Sequence, residues 1–252
     1  MNEIFSRNIM YWGEDVQTAL NSVHVAVFGL GGVGGYSVEA LARAGVGELT
    51  IVDFDDVSPT NINRQIIALN STVGKKKTDL FRERLLDINP ELKINVFDNF
   101  YDEKLNEKIF SLNPGYVVDA IDTMRAKVDL LVYCKNNNIP IFSSVGAGNR
   151  LDPTQLYVAD ISEIEKPNCS FLKNLLHNLK KCNITQGITC VLSKEKPKKP
   201  IIKEFGYIEA GENTIKKYSP SSTPFVPPVA GYFLAFSVLE TIIKNLDKKN
   251  IK

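Results

Sequence analysis

The sequence holds four cysteines, Cys134, Cys169, Cys182 and Cys190, and no C-x-x-C pair. Nothing in their spacing suggests a zinc knuckle, and free thiols in a reducing cytosol are the plain expectation. An excess of one charge is missing too: 30 basic residues stand against 29 acidic ones, so no global field pulls the chain toward nucleic acid or membrane. Long hydrophobic runs are absent. The longest, Phe225 to Leu239, is interrupted by two prolines, Gly231 and Ser237 and is followed by Glu240. It falls short of the roughly 20 residues of a spanning helix, so no integral membrane segment is expected. A core helix is expected there, with contact at a membrane surface as the alternative. Glu3, Arg7, Glu14 and Asp15 leave the N-terminus no unbroken apolar core for a secretory signal, and the expected location is the cytoplasm.

What is present is a chain of 252 residues, 44% of them hydrophobic, enough to bury a sizeable core. Short β-branched runs at Val23–Phe28 and Leu49–Asp53 flank a helical stretch from Tyr36 to Ala44, which makes a βαβ unit. Further strands are expected at Ile94–Phe97, Tyr116–Ala120 and Pro140–Val145. They alternate with helices near Lys77–Ile88, Asp102–Ser111 and Met124–Asn136. Such alternation predicts an α/β fold, a Rossmann-like, mostly parallel sheet with helices on both faces. After Asn149 the pattern changes. Gln155–Asp160 fits one more strand, followed by a lysine-rich stretch and a proline-rich one, Ser219 to Pro228. The chain therefore reads as a nucleotide-binding region, 1–160, and a smaller, looser C-terminal lobe, 161–252. From Lys166 to Lys203 there are nine lysines and one acid, Glu195, either a solvated loop or a landing strip for a phosphate backbone.

Gly29-Leu-Gly31-Gly32-Val-Gly34-Gly35 follows the first strand and opens a helix, where glycines let a backbone approach a nucleotide phosphate. Asp53 ends the second strand, where a carboxylate accepts hydrogen bonds from ribose hydroxyls. A nicotinamide-dependent oxidoreductase would share these features. It would not need what comes next: Asp55, then Asn61, Asn63, Arg64 and Gln65, then Lys75, Lys76 and Lys77, polar and cationic groups suited to a polyphosphate. Arg64 and Lys77 make a pair for the transferring α-phosphate and its leaving group. Asp122 lies just beyond the carboxyl end of an expected strand and is the candidate magnesium ligand. The alternative for Asp119 and Asp122 is that they cap the following helix.

These motifs in this order, G-x-G-G-x-G, V-D-x-D, N-x-N-R-Q, G-x-x-K and D-A-I-D-T, resemble the ubiquitin-activating-enzyme-like (ThiF/MoeB-type) adenylating family over about residues 5 to 160. Asn61-Ile-Asn63-Arg64-Gln65, Ser144-Val-Gly146-Ala-Gly148 with Asp152-Pro-Thr154, and Phe225-Val-Pro-Pro-Val-Ala-Gly231 look like the branch acting on threonylcarbamoyladenosine in tRNA. Branches that adenylate the C-terminal glycine of a ubiquitin-like sulfur carrier typically bear two C-x-x-C pairs. They remain the alternative.

The resemblance implies an ATP-dependent ligase or cyclase. It would adenylate the threonine carboxylate of the modified nucleoside and close a ring with loss of water. It implies Asp122 on magnesium, Arg64, Lys77 and the Arg7 of a second copy on phosphates, Asp53 on ribose and Asn61 ordering the polyphosphate. Gly29, Gly31, Gly32 and Gly34 would give backbone room, with Asp55 and Gln65 in the same binding set. ATP and magnesium are the expected small molecules, with a monovalent cation a further candidate. Expected partners are tRNA and a second copy forming a homodimer, with a sulfur-relay protein a further candidate. Cys190 stands where the branch can carry a cysteine, either an inert buried thiol or a group for sulfur transfer.

Overall fold

A computed structural model describes residues 3–201, 205–210, 213–218 and 220–250. Lys203 and Ser219, at the ends of the lysine-rich and proline-rich stretches, lie outside the described residues.

The run His24–Phe28 forms β1, and its alternate residues serve two cores: Val25 and Val27 on one face, Ala26 and Phe28 on the other. A strand buried on both faces reads as continuous apolar sequence, which is why it is legible. Gly34–Ala44 forms α2, which stops where Gly45 adopts φ +88° and its N–H returns to Ala42 and Leu41 carbonyls. The chain continues through β2 (Glu48–Val52), α3 (Lys77–Ile88), β3 (Lys93–Phe97), β4 (Tyr116–Asp119), α5 (Met124–Asn136) and β5 (Ile141–Ser144). These match the expected elements within a few residues. Between β3 and β4 the expected helix Asp102–Ser111 is divided. Asp102 accepts a hydrogen bond from Lys104 N (2.9 Å) and tightens Glu103–Leu105 into a 3-10 turn before a short helix, α4 (Asn106–Phe110).

Two elements depart from the sequence reading. The acid-studded N-terminus forms a helix, α1 (Ser6–Asn21), broken where Gly13 takes φ +83°. Inside the region read as a loose lobe, Thr189–Ser193 forms a strand (β7), with Cys190, Val191 and Leu192 buried. The sheet order is β3-β2-β1-β4-β5-β7-β6, where β6 is Leu156–Asp160, antiparallel to β7. β7 runs parallel to β5, with Phe142 opposite Thr189 and Ser144 opposite Val191. The division expected at residue 160 therefore passes between two strands paired along their length. A helix Ser170–Lys181 (α6) lies between β6 and β7 in the chain, and a separate hairpin, Phe205–Ala210 with Asn213–Tyr218, precedes the last helix.

That last helix, Val226–Asn250 (α7), is long and apolar enough to cross a membrane by length and composition. Val226, Ala230, Leu234, Val238 and Ile242 recur every fourth residue and are buried in the core beside α2. Pro227 and Pro228 occupy its first turn, where a missing N–H breaks no helical hydrogen bond. The prolines that shortened the run in the sequence thus start the helix rather than interrupt it.

Candidate active site

The chain leaves β1 toward β2 and β3 on one side and returns to β4 on the other, so the β1/β4 boundary is the switch point of the sheet. In open α/β sheets, ligands bind outside the carboxyl ends of the strands at such a crevice. The glycine loop follows β1 there and Asp122 follows β4. Gly29 has φ +86°, and a Cβ at that position would lie 2.8 Å from the Ala120 carbonyl oxygen, so only glycine brings the two loops this close.

The loop after β2 folds back over the glycines. A Cβ on Gly32 would lie 3.1 Å from Arg64 Cγ, and one on Gly31 3.8 Å from Gln65 Nε2. Arg64 and Gln65 therefore sit against the glycine loop, as the polyphosphate reading requires. Arg64 donates from Nη1 to the Thr60 carbonyl and to Asn63 Oδ1, both at 2.8 Å. Among the described residues its Nε and Nη2 make no hydrogen bond. Burial pulls its pKa below the ordinary guanidinium value and the charge of nearby Asp122 pushes it back, which puts this cation and this carboxylate in one electrostatic neighbourhood. Gln65 is buried, and its Oε1 is without a hydrogen-bond partner among the described residues.

Asp53 is buried and fastens two loops, accepting from Leu30 N (2.6 Å) on Oδ2 and from Asp55 N (2.9 Å) on Oδ1. Each oxygen keeps a second lone pair for a ribose hydroxyl. Burial pushes its pKa up, and the Lys77 ammonium and these two N–H donors oppose the shift. Lys77 is buried in the first turn of α3, with Nζ 2.7 Å from Asp55 Oδ2 and 3.8 Å from Asp53 Oδ1. The ammonium is thus already neutralised by two carboxylates. Asn61 caps a 3-10 turn by accepting from Ser58 N (3.1 Å).

Asp122 is exposed, and its side chain accepts only a long bond from Thr123 Oγ1 (3.4 Å). Neither it nor Asp119 caps α5, whose N-cap is Thr123 with no side-chain bond. Asp119 is fully buried instead. It lies 2.5 Å from Lys127 Nζ and accepts from Ser143 Oγ (2.6 Å) and Ile121 N (3.0 Å), while Lys127 also donates to the Ser144 carbonyl (3.1 Å). This buried cluster ties the end of β4 to the end of β5, and the sequence reading missed Lys127. A signal was present, since Lys127, Leu130, Leu131 and Cys134 form one stripe at helical spacing with a cation at an apolar position.

Arg7 is exposed on the first turn of the N-terminal helix and, among the described residues, makes no ion pair. This chain's own fold does not join it to the crevice residues. Cys190 is fully buried on β7, and burial pushes its thiol pKa up to about 12, the environment of an inert thiol.

Beyond β5, Arg150 is 4% exposed and uses every guanidinium nitrogen: Nε to the Glu195 carbonyl (3.0 Å), Nη2 to Asn168 Oδ1 (3.2 Å) and Nη1 to the Gly148 carbonyl (3.4 Å). The start of the proline-rich stretch crosses between the two loop systems. Ser221 N donates to Asn149 Oδ1 (2.8 Å), and Asn63 Nδ2 donates to the Ser222 carbonyl (3.0 Å).

The ThiF family model matches residues 5–250. The tRNA threonylcarbamoyladenosine dehydratase of Bacillus subtilis is 41% identical over 252 residues, 98% of each chain, and that of Escherichia coli is 39% identical over 196 residues, 76% of this chain and 73% of that one. The crystal structure of the E. coli dehydratase TcdA in complex with AMP superposes with a TM-score of 0.86 at 31% identity, covering 98% of this chain and 96% of that one. With its glycine loop, its cation and carboxylates at the switch point and this full-length likeness, the chain belongs to the ThiF family.

Proposed function

We propose that the chain is an ATP-dependent enzyme that cyclises N6-threonylcarbamoyladenosine in tRNA through an acyl-adenylate. What carries the reading is the extent of the likeness. It runs at 41% identity through the whole of a tRNA threonylcarbamoyladenosine dehydratase, the C-terminal third included. A sulfur-carrier-activating enzyme would share the adenylating half alone, and C-x-x-C pairs are absent from this sequence. We assign the adenylating work to residues 1–160, while residues 161–252 complete the sheet with β7 and the core with α7 and carry the lysine-rich loop.

A threonine carboxylate oxygen attacks the α-phosphorus of ATP, the bond to the bridging oxygen breaks, and pyrophosphate leaves. A nitrogen of the same side chain then attacks the acyl carbon, loses its proton, and AMP departs carrying the former carboxylate oxygen. The substrate thereby loses the elements of water. No enzyme nucleophile is needed, so positioning and charge stabilisation supply the catalysis. Arg64, with Nε and Nη2 uncommitted, would bind the polyphosphate. Lys77 would reach it from between Asp55 and Asp53. Asp53 would hold ribose, Asn61 and Gln65 would order the phosphates, and Gly29, Gly31, Gly32 and Gly34 would admit them. Asp122 fits magnesium, since it is an exposed carboxylate at the crevice, and among the described residues no cluster of three or more His, Cys, Asp or Glu offers a full protein cage. Bound there, the ion would neutralise phosphate charge.

An exposed Arg7, with Met10 and Tyr11 exposed on the same helix and Tyr232 and Phe236 on α7, supports a homodimer in which each Arg7 serves the other copy's ATP. The cytoplasm is the proposed location. The test is mass spectrometry of nucleosides from tRNA bearing threonylcarbamoyladenosine, digested without alkali. Loss of one water only with ATP, and transfer of ¹⁸O from the labelled carboxylate into AMP, are expected. An unchanged nucleoside in the presence of bound ATP refutes the substrate.

A further inference from the structure

We propose that the segment Lys194–Lys199 is the tRNA backbone cradle of this enzyme, an inference that rests on the tRNA reading above. β7 is parallel to β5, so Ser193 delivers the lysines to the same edge of the sheet as the glycine loop, Asp53 and Asp122. Along the segment, exposed Lys194, Lys196 and Lys198 alternate with half-buried Glu195 and Pro197, and exposed Lys199 follows. The exposed lysines thus stand outward, while the residues between Lys194 and Lys198 turn toward the protein. Among the described residues none of the four forms an ion pair with a carboxylate. Glu195, the sole acid between Lys166 and Lys199, is turned inward: its Oε2 accepts from Leu151 N (3.0 Å) and Asp152 N (2.9 Å). The strip therefore keeps four unneutralised charges facing water, the footprint of a phosphate-binding surface.

This segment is held rather than loose. The Glu195 carbonyl accepts from Arg150 Nε (3.0 Å) and Asn168 Nδ2 (3.2 Å), and Lys198 N donates to the Asn149 carbonyl (2.8 Å). From Asn149 a line of hydrogen bonds reaches the reacting centre: Ser221 N to Asn149 Oδ1, Asn63 Nδ2 to the Ser222 carbonyl, and Arg64 Nη1 to Asn63 Oδ1. A backbone lying on the lysines would thus be registered against the arginine proposed to bind ATP. Lys194 also has its Nζ 5.7 Å from the Tyr157 ring centroid, which steadies one end of the strip.

The same chain supplies an internal control. α6 starts near Gly146, where a Cβ would lie 3.5 Å from Cys169 Sγ, and runs away from this edge, so exposed Lys180 and Lys181 lie toward the opposite edge. The experiment compares full-length wild type, the quadruple variant K194Q/K196Q/K198Q/K199Q and the double variant K180Q/K181Q. Affinity for tRNA bearing threonylcarbamoyladenosine is measured across a salt series, ATP affinity is measured without tRNA, and cyclisation is followed by mass spectrometry. In the quadruple variant the slope of log affinity against log salt should fall by about 2–3, and tRNA affinity at least about tenfold, with ATP affinity unchanged. The double variant should behave as wild type. Wild-type cyclisation with an unchanged slope in the quadruple variant overturns the cradle alone, as does an equal loss in both variants. Absence of wild-type cyclisation overturns the tRNA reading, and the cradle with it. Co-sedimentation with phosphatidylglycerol vesicles, lost in the quadruple variant while its tRNA slope is unchanged, assigns the strip to a membrane surface and also overturns the cradle.

Discussion

Two arginines stand at the same edge of the sheet and are used in opposite ways. Arg64 commits one terminal nitrogen to its own loop and leaves the others uncommitted, beside a glycine loop and an exposed carboxylate. Arg150 spends all three nitrogens on carbonyls and an amide of its own chain. Spare hydrogen-bonding capacity therefore separates an arginine built to meet a ligand from one built to hold a fold. The same contrast divides their surroundings. The β1–β4 half of the crevice is made from contiguous motifs, whereas the β5–β7 half is assembled from segments far apart in sequence.

The seam between the halves carries the largest expected effect. Lys127→Met would leave Asp119 buried without its cation, a loss of about 3–5 kcal/mol. At roughly 2–4 °C per kcal/mol for a chain of this size, the melting temperature should drop by about 10 °C, and adding Asp119→Asn should recover part of it. A drop under a few degrees would deny the cluster its structural role. Arg150→Ala comes next. It should cost about 3 kcal/mol of charge-assisted bonding and open the bonds after Lys194 and Lys198 to trypsin under native conditions, with ATP affinity kept. Arg64→Ala should do the reverse, slowing AMP formation about a hundredfold while stability moves by less than about 1 kcal/mol. If both arginine variants lose stability alike, the contrast drawn from their bonding fails.

The smallest effect concerns His24, buried on β1 with Nε2 2.8 Å from Thr50 Oγ1 and Nδ1 3.1 Å from the Leu112 carbonyl. Burial pulls its pKa below the ordinary 6.5, opposed by Glu48. The folded chain keeps the ring neutral while the unfolded chain takes up a proton below that value. Its contribution to stability is therefore complete above about pH 6.5 and is lost as the pH falls toward the lower, folded value. Melting temperature between pH 7.5 and 5.5 should decline less steeply in His24→Gln than in wild type. Equal slopes would mean that His24 does not titrate as its burial requires.

How much of this was legible in the sequence follows the same division. The placement of Gly29, Asp53 and Asp122 at one crevice could be read because each lies within a few residues of the end of a strand with a continuous apolar signature, and Arg64 and Gln65 were placed by their motif. Asp119, read as a cap, proved to be half of a buried ion pair, because its partner lies eight residues on and across a helix turn. β7 was hidden because Thr189–Ser193 lies within lysine-rich sequence that dominates any local average. Arg150 carried no signal, because the carbonyl and amide it holds come from residues 195 and 168.

The position of β7 also orders events in time. Leaving the ribosome at roughly 5–20 residues per second, a chain would finish β6 a few seconds before β7, while the open side of β5 has no neighbour. During that interval β5 and β6 cannot pair with each other in the native order, and both present bare strand edges to whatever is nearby. A nascent chain at this stage is at its most vulnerable to aggregation, and the last strand of the sheet to emerge is the one that ends the exposure.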